Sequence, residues 1–178
     1  MADSVQAPTD DQRVEQLAAH YKAILELLGE DPTREGLVKT PVRAAKAMLA
    51  LTSGYRKSPQ EIIKSALFKE EYGSRGQIVV VKDIEFYSFC EHHILPFFGK
   101  AHIGYVPDGC VTGLSQLARL VDAFARRLQL QGRPTPERFE SLQSALPAHG
   151  VICGSEACHL CIPLGGVGAV EAVISTSC

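Results

Sequence analysis

A chain of 178 residues, 46 % hydrophobic and with a net charge of −2, is long enough to bury a core. It carries no block of charge of the kind a nucleic acid or an anionic membrane would call for. No apolar run approaches the ~20 residues of a membrane helix, and the opening MADSVQAPTDDQ is polar and acidic, unlike a secretory or transit signal. The expectation is a cytoplasmic protein with a flexible polar tail over residues 1–9 and a single domain over 10–178.

In chain order, residues 14–28 set Val14, Leu17, Ala18, Tyr21, Ile24, Leu25 and Leu28 at helical spacing, with Gly29 as the stop. Thr40-Pro41 reads as a cap followed by a first-turn proline, opening a helix that reaches about Gly54, and Ser58-Pro59 announces a shorter one. Residues 77–87, QIVVVKDIEFY, are β-branched and aromatic and predict a strand; residues 100–106 predict another. Helical periodicity returns over 114–130 through Leu117, Leu120, Val121, Phe124 and Leu128. Thr135-Pro136 opens a further helix ending near Leu146, and residues 151–162 and 167–175 close the chain as strands. Helices, two strands, two helices and two strands predict an α+β domain with antiparallel pairs and helices on one face.

Six cysteines in a chain able to build a core, without a secretory opening, point to metal or catalytic use rather than to disulfides. Cys110, Cys153 and Cys178 stand apart and read as small apolar residues. The others form two clusters. In FCEHHILPFFGK, residues 89–100, Cys90 and His93 have the spacing of a metal half-site, a soft thiolate and an imidazole able to share one zinc ion. The second half is Cys158-His159-Leu160-Cys161.

Two metal readings compete, and a third has buried thiols and satisfied histidines with no metal. A closed site of Cys90, His93, Cys158 and Cys161 would only hold the fold together; an open one keeps a fourth position for water. If residues 157–162 are extended, His159 and Cys161 share a face and Cys158 points the other way. A closed site would need a tight knuckle that His-Leu does not favour. Cys90, His93 and Cys161 are therefore the expected ligands of Zn2+, with His92 and His159 beside the metal to move protons during hydrolysis. Glu91 has two readings, a carboxylate orienting a ligand histidine or a solvated side chain. Ile94, Phe97 and Phe98 read as core filler, and Gly99 as a turn into the next strand.

CEHHILPFFGKAHIGYVP, then GLSQLARLVDAFARRLQLQ, then HLC, together with TPVRAAKAM, resemble the GTP cyclohydrolase I family over almost the whole chain from about Asp10. The resemblance implies a tunnelling fold, in which subunits pool antiparallel sheets into a barrel, and a homo-oligomer, a toroidal decamer with active sites between subunits. It implies zinc on Cys90, His93 and Cys161, proton transfer by His92 and His159, and attack of water on C8 of guanine with loss of formate. Ser115 and Arg119 match residues near the triphosphate, Arg43 and Lys46 match basic residues that reach it from a neighbouring subunit, and Gln131 matches a glutamine beside the base.

Three positions depart from the family pattern. GLSKLAR becomes GLSQLAR, with Gln116 for a phosphate-binding lysine; QERLT becomes QGRPT, with Gly132 for a guanine-gripping glutamate; and Gly165 replaces another phosphate-binding arginine. The chain also stops at Cys178, without the family's last helix. A carboxylate accepting two hydrogen bonds from guanine is worth roughly 1.5–3 kcal/mol, and two missing cations weaken a polyanion site further. The expectation is a zinc-dependent cyclohydrolase opening the ring of a purine-like small molecule other than GTP. True GTP cyclohydrolase I activity is one rival; a non-catalytic paralogue that binds ligand or co-assembles is another.

Overall fold

The structure, a computed structural model, describes residues 8–69, 77–129, 143–144, 146, 148–164 and 173–177. It divides into two compact units, residues 1–52 and 53–178. Of the expected elements, the helix beginning at Thr135 lies almost wholly outside the described residues, as do residues 167–172 of the last strand.

The first unit is a pair of helices, α1 (Asp10–Leu27) and α2 (Thr40–Leu51). α1 starts earlier than the apolar spacing implies because Thr9 caps it. The Thr9 hydroxyl accepts from the Gln12 N–H at 3.3 Å, and the Gln12 side-chain oxygen accepts from the Thr9 N–H at 2.9 Å, a reciprocal capping box. Gly29, at φ +84°, ends the turn in a conformation that costs glycine nothing. Thr40 is the first helical residue of α2 rather than its cap: Lys39 occupies that position and makes no side-chain capping bond.

The second unit begins with a 3-10 turn (Ser53–Arg56) and α3 (Pro59–Lys64), which Ser58 caps as expected by accepting from the Glu61 N–H at 3.4 Å. Its main sheet contains β2 (Val79–Cys90), β3 (Pro96–Pro107), β5 (Leu128–Gln129), β6 (Ala148–His159) and β7 (Val173–Ser177) in the order β5-β2-β3-β6-β7. The β2–β3, β3–β6 and β6–β7 pairs are antiparallel and β5 runs parallel to β2. A small antiparallel pair joins β1 (Leu67–Lys69) to β4 (Cys110–Thr112). α4 (Leu114–Ala125) stops before the apolar periodicity does, since Leu128 and Gln129 pair with Phe89 and Cys90 as β5. The expected strand over 151–162 also ends early: β6 stops at His159 and α5 (Cys161–Leu164) follows.

Strand alternation sorts the sheet into two faces. Val79, Val81 and Ile84 on β2, Ile103 and Tyr105 on β3, and Val151 and Cys153 on β6 meet Ile63 of α3 and Leu117, Leu120, Val121 and Phe124 of α4 in the core. Leu117 and Leu120 are fully buried, each worth about 1.5–3 kcal/mol over an exposed position. On the opposite face Val80, Tyr87, Phe98 and Ile152 are exposed. Only Phe97 of the three residues read as filler is core, at 3 % exposure; Ile94 and Phe98 are 52 % and 43 % exposed. Gly99 makes no turn. It lies within β3, where a Cβ would come 2.0 Å from the Glu156 carbonyl oxygen and 2.7 Å from Ala157 Cα, so glycine is there to let β3 and β6 approach.

Candidate metal and catalytic site

The core face of the sheet carries a second buried cluster at the end of β2, formed by Cys90, Phe97 and Ala157 with Phe86 and Cys161 against it. β2 runs three residues past its expected end, so Cys90 is the last residue of a strand and not of a loop. The chain then turns back within residues 91–95. The Ile94 N–H donates to the Cys90 carbonyl and the Cys90 N–H to the Leu95 carbonyl, both at 2.8 Å. The Glu91 N–H donates to the Gln129 carbonyl of β5 at 3.0 Å. Ile94 pays for this tight turn with φ 54°, a region in which a β-branched residue is strained.

Register then brings the second half of the motif to the first. Phe97 pairs with His159 and Phe98 with Cys158 across β3 and β6. His159 therefore shares Phe97's face, the one that carries Cys90, whereas Cys158 shares the exposed face of Phe98. After Leu160 the chain turns into α5, whose first residue is Cys161. Side-chain ligand atoms of Cys90, His159 and Cys161 all lie within 4.8 Å of one another. Cys90 and His159 are 2 % and 5 % exposed.

Most of the expected site residues have a definite place, and three lie outside the described residues. Cys90 and Cys161 converge. His93 Nδ1 lies 3.9 Å from Cys90 Sγ, but the triangle of mutually close ligand atoms contains His159 rather than His93. His92 is exposed, its Nε2 3.9 Å from Glu91 Oε1, and its ring stands edge-on to that of His93 at 6.2 Å. Cys158 is not in the cluster; the extended geometry used to exclude it holds only to His159, but strand alternation excludes it all the same. Ser115 and Arg119 are exposed on α4, one helical turn apart, while Gln116 between them is 6 % exposed. Its Oε1 is buried without a hydrogen-bond partner among the described residues. Arg43 and Lys46 are exposed on α2 of the first unit. Gln131, Gly132 and Gly165 lie outside the described residues.

Burial sets the electrostatics. Desolvation raises the pKa of the Cys161 thiol, and the neighbouring Cys90 thiol adds to the effect through its hydrogen bond and its charge. Desolvation also lowers the pKa of His159 and favours its neutral ring. The Cys161 thiol, which resists ionising beside a second thiol and a neutral imidazole, is a group that a soft divalent cation stabilises as a thiolate. The donor set fits zinc by softness and by number.

Sequence reading missed the contact that holds His159. Its ring is stacked on Phe97, centroids 4.1 Å apart and planes within 8°, and Phe86 meets the other ring edge-on at 6.0 Å. In the sequence Phe97 reads as filler, and strand alternation from Phe97 and from His159 shows a shared face only once the register is known.

Among the described residues no helix is long and apolar enough to cross a membrane. Residues 17–178 match the profile of the family described as GTP cyclohydrolase I. A Porphyromonas gingivalis protein named GTP cyclohydrolase 1 is 52 % identical over 167 residues, 94 % of this chain and 85 % of the relative. One from Bacteroides fragilis is 52 % identical over 164 residues, covering 92 % and 83 %. One from Chlorobium phaeovibrioides is 47 % identical over 175 residues, covering 98 % and 76 %. The helices and antiparallel sheet are those of the tunnelling fold, and the chain belongs to the GTP cyclohydrolase I family of hydrolases.

Proposed function

We propose that this chain is a zinc-dependent GTP cyclohydrolase I that opens the imidazole ring of GTP, releases formate and yields dihydroneopterin triphosphate. The observation that carries the reading is the convergence of Cys90, His159 and Cys161 within 4.8 Å in a chain about half identical to proteins of that name. The replacements at Gln116, Gly132 and Gly165 favour a different purine-like substrate; similarity spread over more than nine-tenths of the chain weighs more, and GTP is the substrate proposed.

Cys90 and Cys161 are the zinc ligands in either arrangement of the histidines. His93 is proposed as the third, because its Nδ1 at 3.9 Å from Cys90 Sγ is near the separation of two ligands sharing one ion. At Zn–S ≈ 2.3 Å and Zn–N ≈ 2.0 Å in a tetrahedron that separation is about 3.5 Å. Its exposed turn leaves the ring free to rotate toward Cys161. Bound there, zinc supplies Lewis acidity that makes water nucleophilic at neutral pH. His159, neutral and buried, accepts and returns protons at its ring nitrogen. His92, exposed next to Glu91, exchanges protons with solvent and with the nitrogen released from C8. By the family resemblance, Ser115 and Arg119 on α4 are proposed to bind the triphosphate, Arg43 and Lys46 match basic residues that reach it from a neighbouring subunit, and Gln131 matches a glutamine beside the base.

Like the family it resembles, the chain is proposed to work as a homo-oligomer, a decamer. The exposed Val80, Tyr87, Phe98 and Ile152 on one sheet face support a surface that association covers.

The test is formate release by the zinc-loaded protein from GTP, GMP, guanosine and guanine. Turnover of GTP well above the others is expected. Turnover of an uncharged purine alone would overturn the choice of substrate, and zinc-loaded protein inert toward all of them would favour the binding or co-assembly role.

A further inference from the structure

Aromatic side chains pack against the metal cluster. On one sheet face Phe97 of β3 is paired with His159 of β6, and Phe86 of β2 meets Phe97 from a diagonal position. The last torsion of a histidine is broad and roughly two-fold, so the backbone of β6 alone does not choose its ring plane. Phe97 constrains that choice. The two rings are parallel within 8° at 4.1 Å, and Phe97 is itself held by burial, at 3 % exposure, and by the edge of Phe86 at an interplanar angle of 82°. A ring nitrogen lies in the plane of its ring. Fixing the His159 plane therefore fixes the direction in which that nitrogen meets the cluster of Cys90 and Cys161.

We propose that Phe97 is a positioning residue for His159: its ring face sets the imidazole plane and so the aim of the nitrogen that serves the reaction. This rests on the reading that His159 acts on the reacting molecule and is not a structural ligand. Phe97 touches neither substrate nor metal in this role, so its removal moves kcat and leaves KM for GTP largely alone. A displacement of a reacting group by about 1 Å costs up to 10²-fold in rate. A ring that only loses its preferred plane is displaced less, and the expected fall in kcat for Phe97→Leu is about tenfold, equivalent to about 1.4 kcal/mol of barrier.

The experiment is a double-mutant cycle on the zinc-loaded enzyme with Phe97→Leu, His159→Ala and the pair, plus Phe97→Tyr, reading zinc content, kcat and KM for each. Leucine retains the apolar volume and removes the stacking face; tyrosine restores the face. Full zinc content and KM within about twofold, a tenfold lower kcat for Phe97→Leu, recovery in Phe97→Tyr, and a double variant no slower than His159→Ala alone would support the proposal. Additive losses in the double variant, or a Phe97→Tyr as slow as Phe97→Leu, would overturn it, since Phe97 would then act by packing. If His159→Ala leaves kcat intact or strips the zinc, the reading of His159 fails first and the proposal with it. If His159→Ala abolishes turnover with zinc retained and Phe97→Leu has no effect, the proposal alone fails. Should Phe97→Leu not fold, histidine-labelled wild-type enzyme decides by NMR: His159 ring protons shifted upfield by the Phe97 ring support the stack, and ordinary histidine shifts refute it.

Discussion

Replacing Gly99 by alanine adds one methyl group at the place where β3 and β6 come closest. The new Cβ would stand 2.0 Å from the Glu156 carbonyl oxygen and 2.7 Å from Ala157 Cα and Cβ. Two of these three are backbone atoms, so no side-chain rotation relieves the clash. The strands have to open by roughly 1.3 Å to reach the ~3.3 Å of an ordinary carbon–oxygen approach. Overpacking of this kind costs about 1–3 kcal/mol, and one stretched ladder hydrogen bond adds about 1 kcal/mol, so a loss of about 3 kcal/mol is expected. At about 2–4 °C per kcal/mol for a chain of this length, the thermal midpoint falls by about 6–12 °C. Function suffers more than stability. Phe97 and His159 are paired two residues along the same ladder, and opening the strands moves the imidazole against the thiols, for a fall in kcat of about 10²-fold. Thermal scanning of the zinc-loaded variant and formate release from GTP measure both. A midpoint within about 2 °C of wild type would refute the close-approach role of Gly99, a shift that small corresponding to less than 1 kcal/mol.

Other outcomes follow from single contacts. Cys90→Ser removes a buried ligand atom of the cluster and should lose both zinc and turnover. Cys158→Ser, on the other face of β6, should retain zinc, and metal analysis of the two variants separates the open site from a closed four-ligand one. Leu120→Ala, at a fully buried position of α4, should cost about 2–5 kcal/mol in denaturant unfolding; a loss below about 1 kcal/mol would mean that α4 is not packed as described. At Asp122, desolvation raises the carboxyl pKa, but hydrogen bonds from Lys57 and Arg126, each at 2.9 Å, outweigh it and the net direction is down. A depressed carboxylate stabilises the fold above its unfolded value of about 3.9, and the gain is lost as pH falls through the lower folded value. Asp122→Asn should therefore destabilise at pH 7 and converge with wild type in acid. With Lys57 and Asp122 side chains 40 % and 44 % exposed, the difference stays below about 1 kcal/mol, and a gap that widened in acid would contradict the sign.

What could be seen in the sequence was whatever depends on local chemistry. The Ser58 cap and the β-branched run of β2 are short-range signals, and the cap and a strand over most of that run are there; of the two halves of the metal motif, the thiols of Cys90 and Cys161 come together. Long-range geometry escaped. Leu128 continues the apolar spacing of α4, yet it pairs with Phe89, because closing the edge of the sheet beside Cys90 outweighs one more helical turn. Gly99 suggested a turn because nothing local distinguishes a turn glycine from one flattened under a neighbouring strand. That His159 lies beside the thiols was expected from the motif, but the register of β3 on β6 that brings it there is not visible in the sequence; His93 as a ligand rests on spacing within one motif. Gln116 reads in the sequence as a replacement for a phosphate-binding lysine, and the phase of α4 buries it between the exposed Ser115 and Arg119.

The measurement that bears most directly on a zinc-dependent cyclohydrolase at Cys90 and Cys161 is formate release from GTP before chelation, after removal of zinc, and after zinc is returned. Wild-type protein with about one zinc per chain should turn over GTP, fall silent when stripped and recover on reloading, while Cys161→Ser stays silent throughout. Undiminished turnover of GTP by the stripped protein would contradict the metal site, and inert protein carrying a full complement of zinc would contradict the activity.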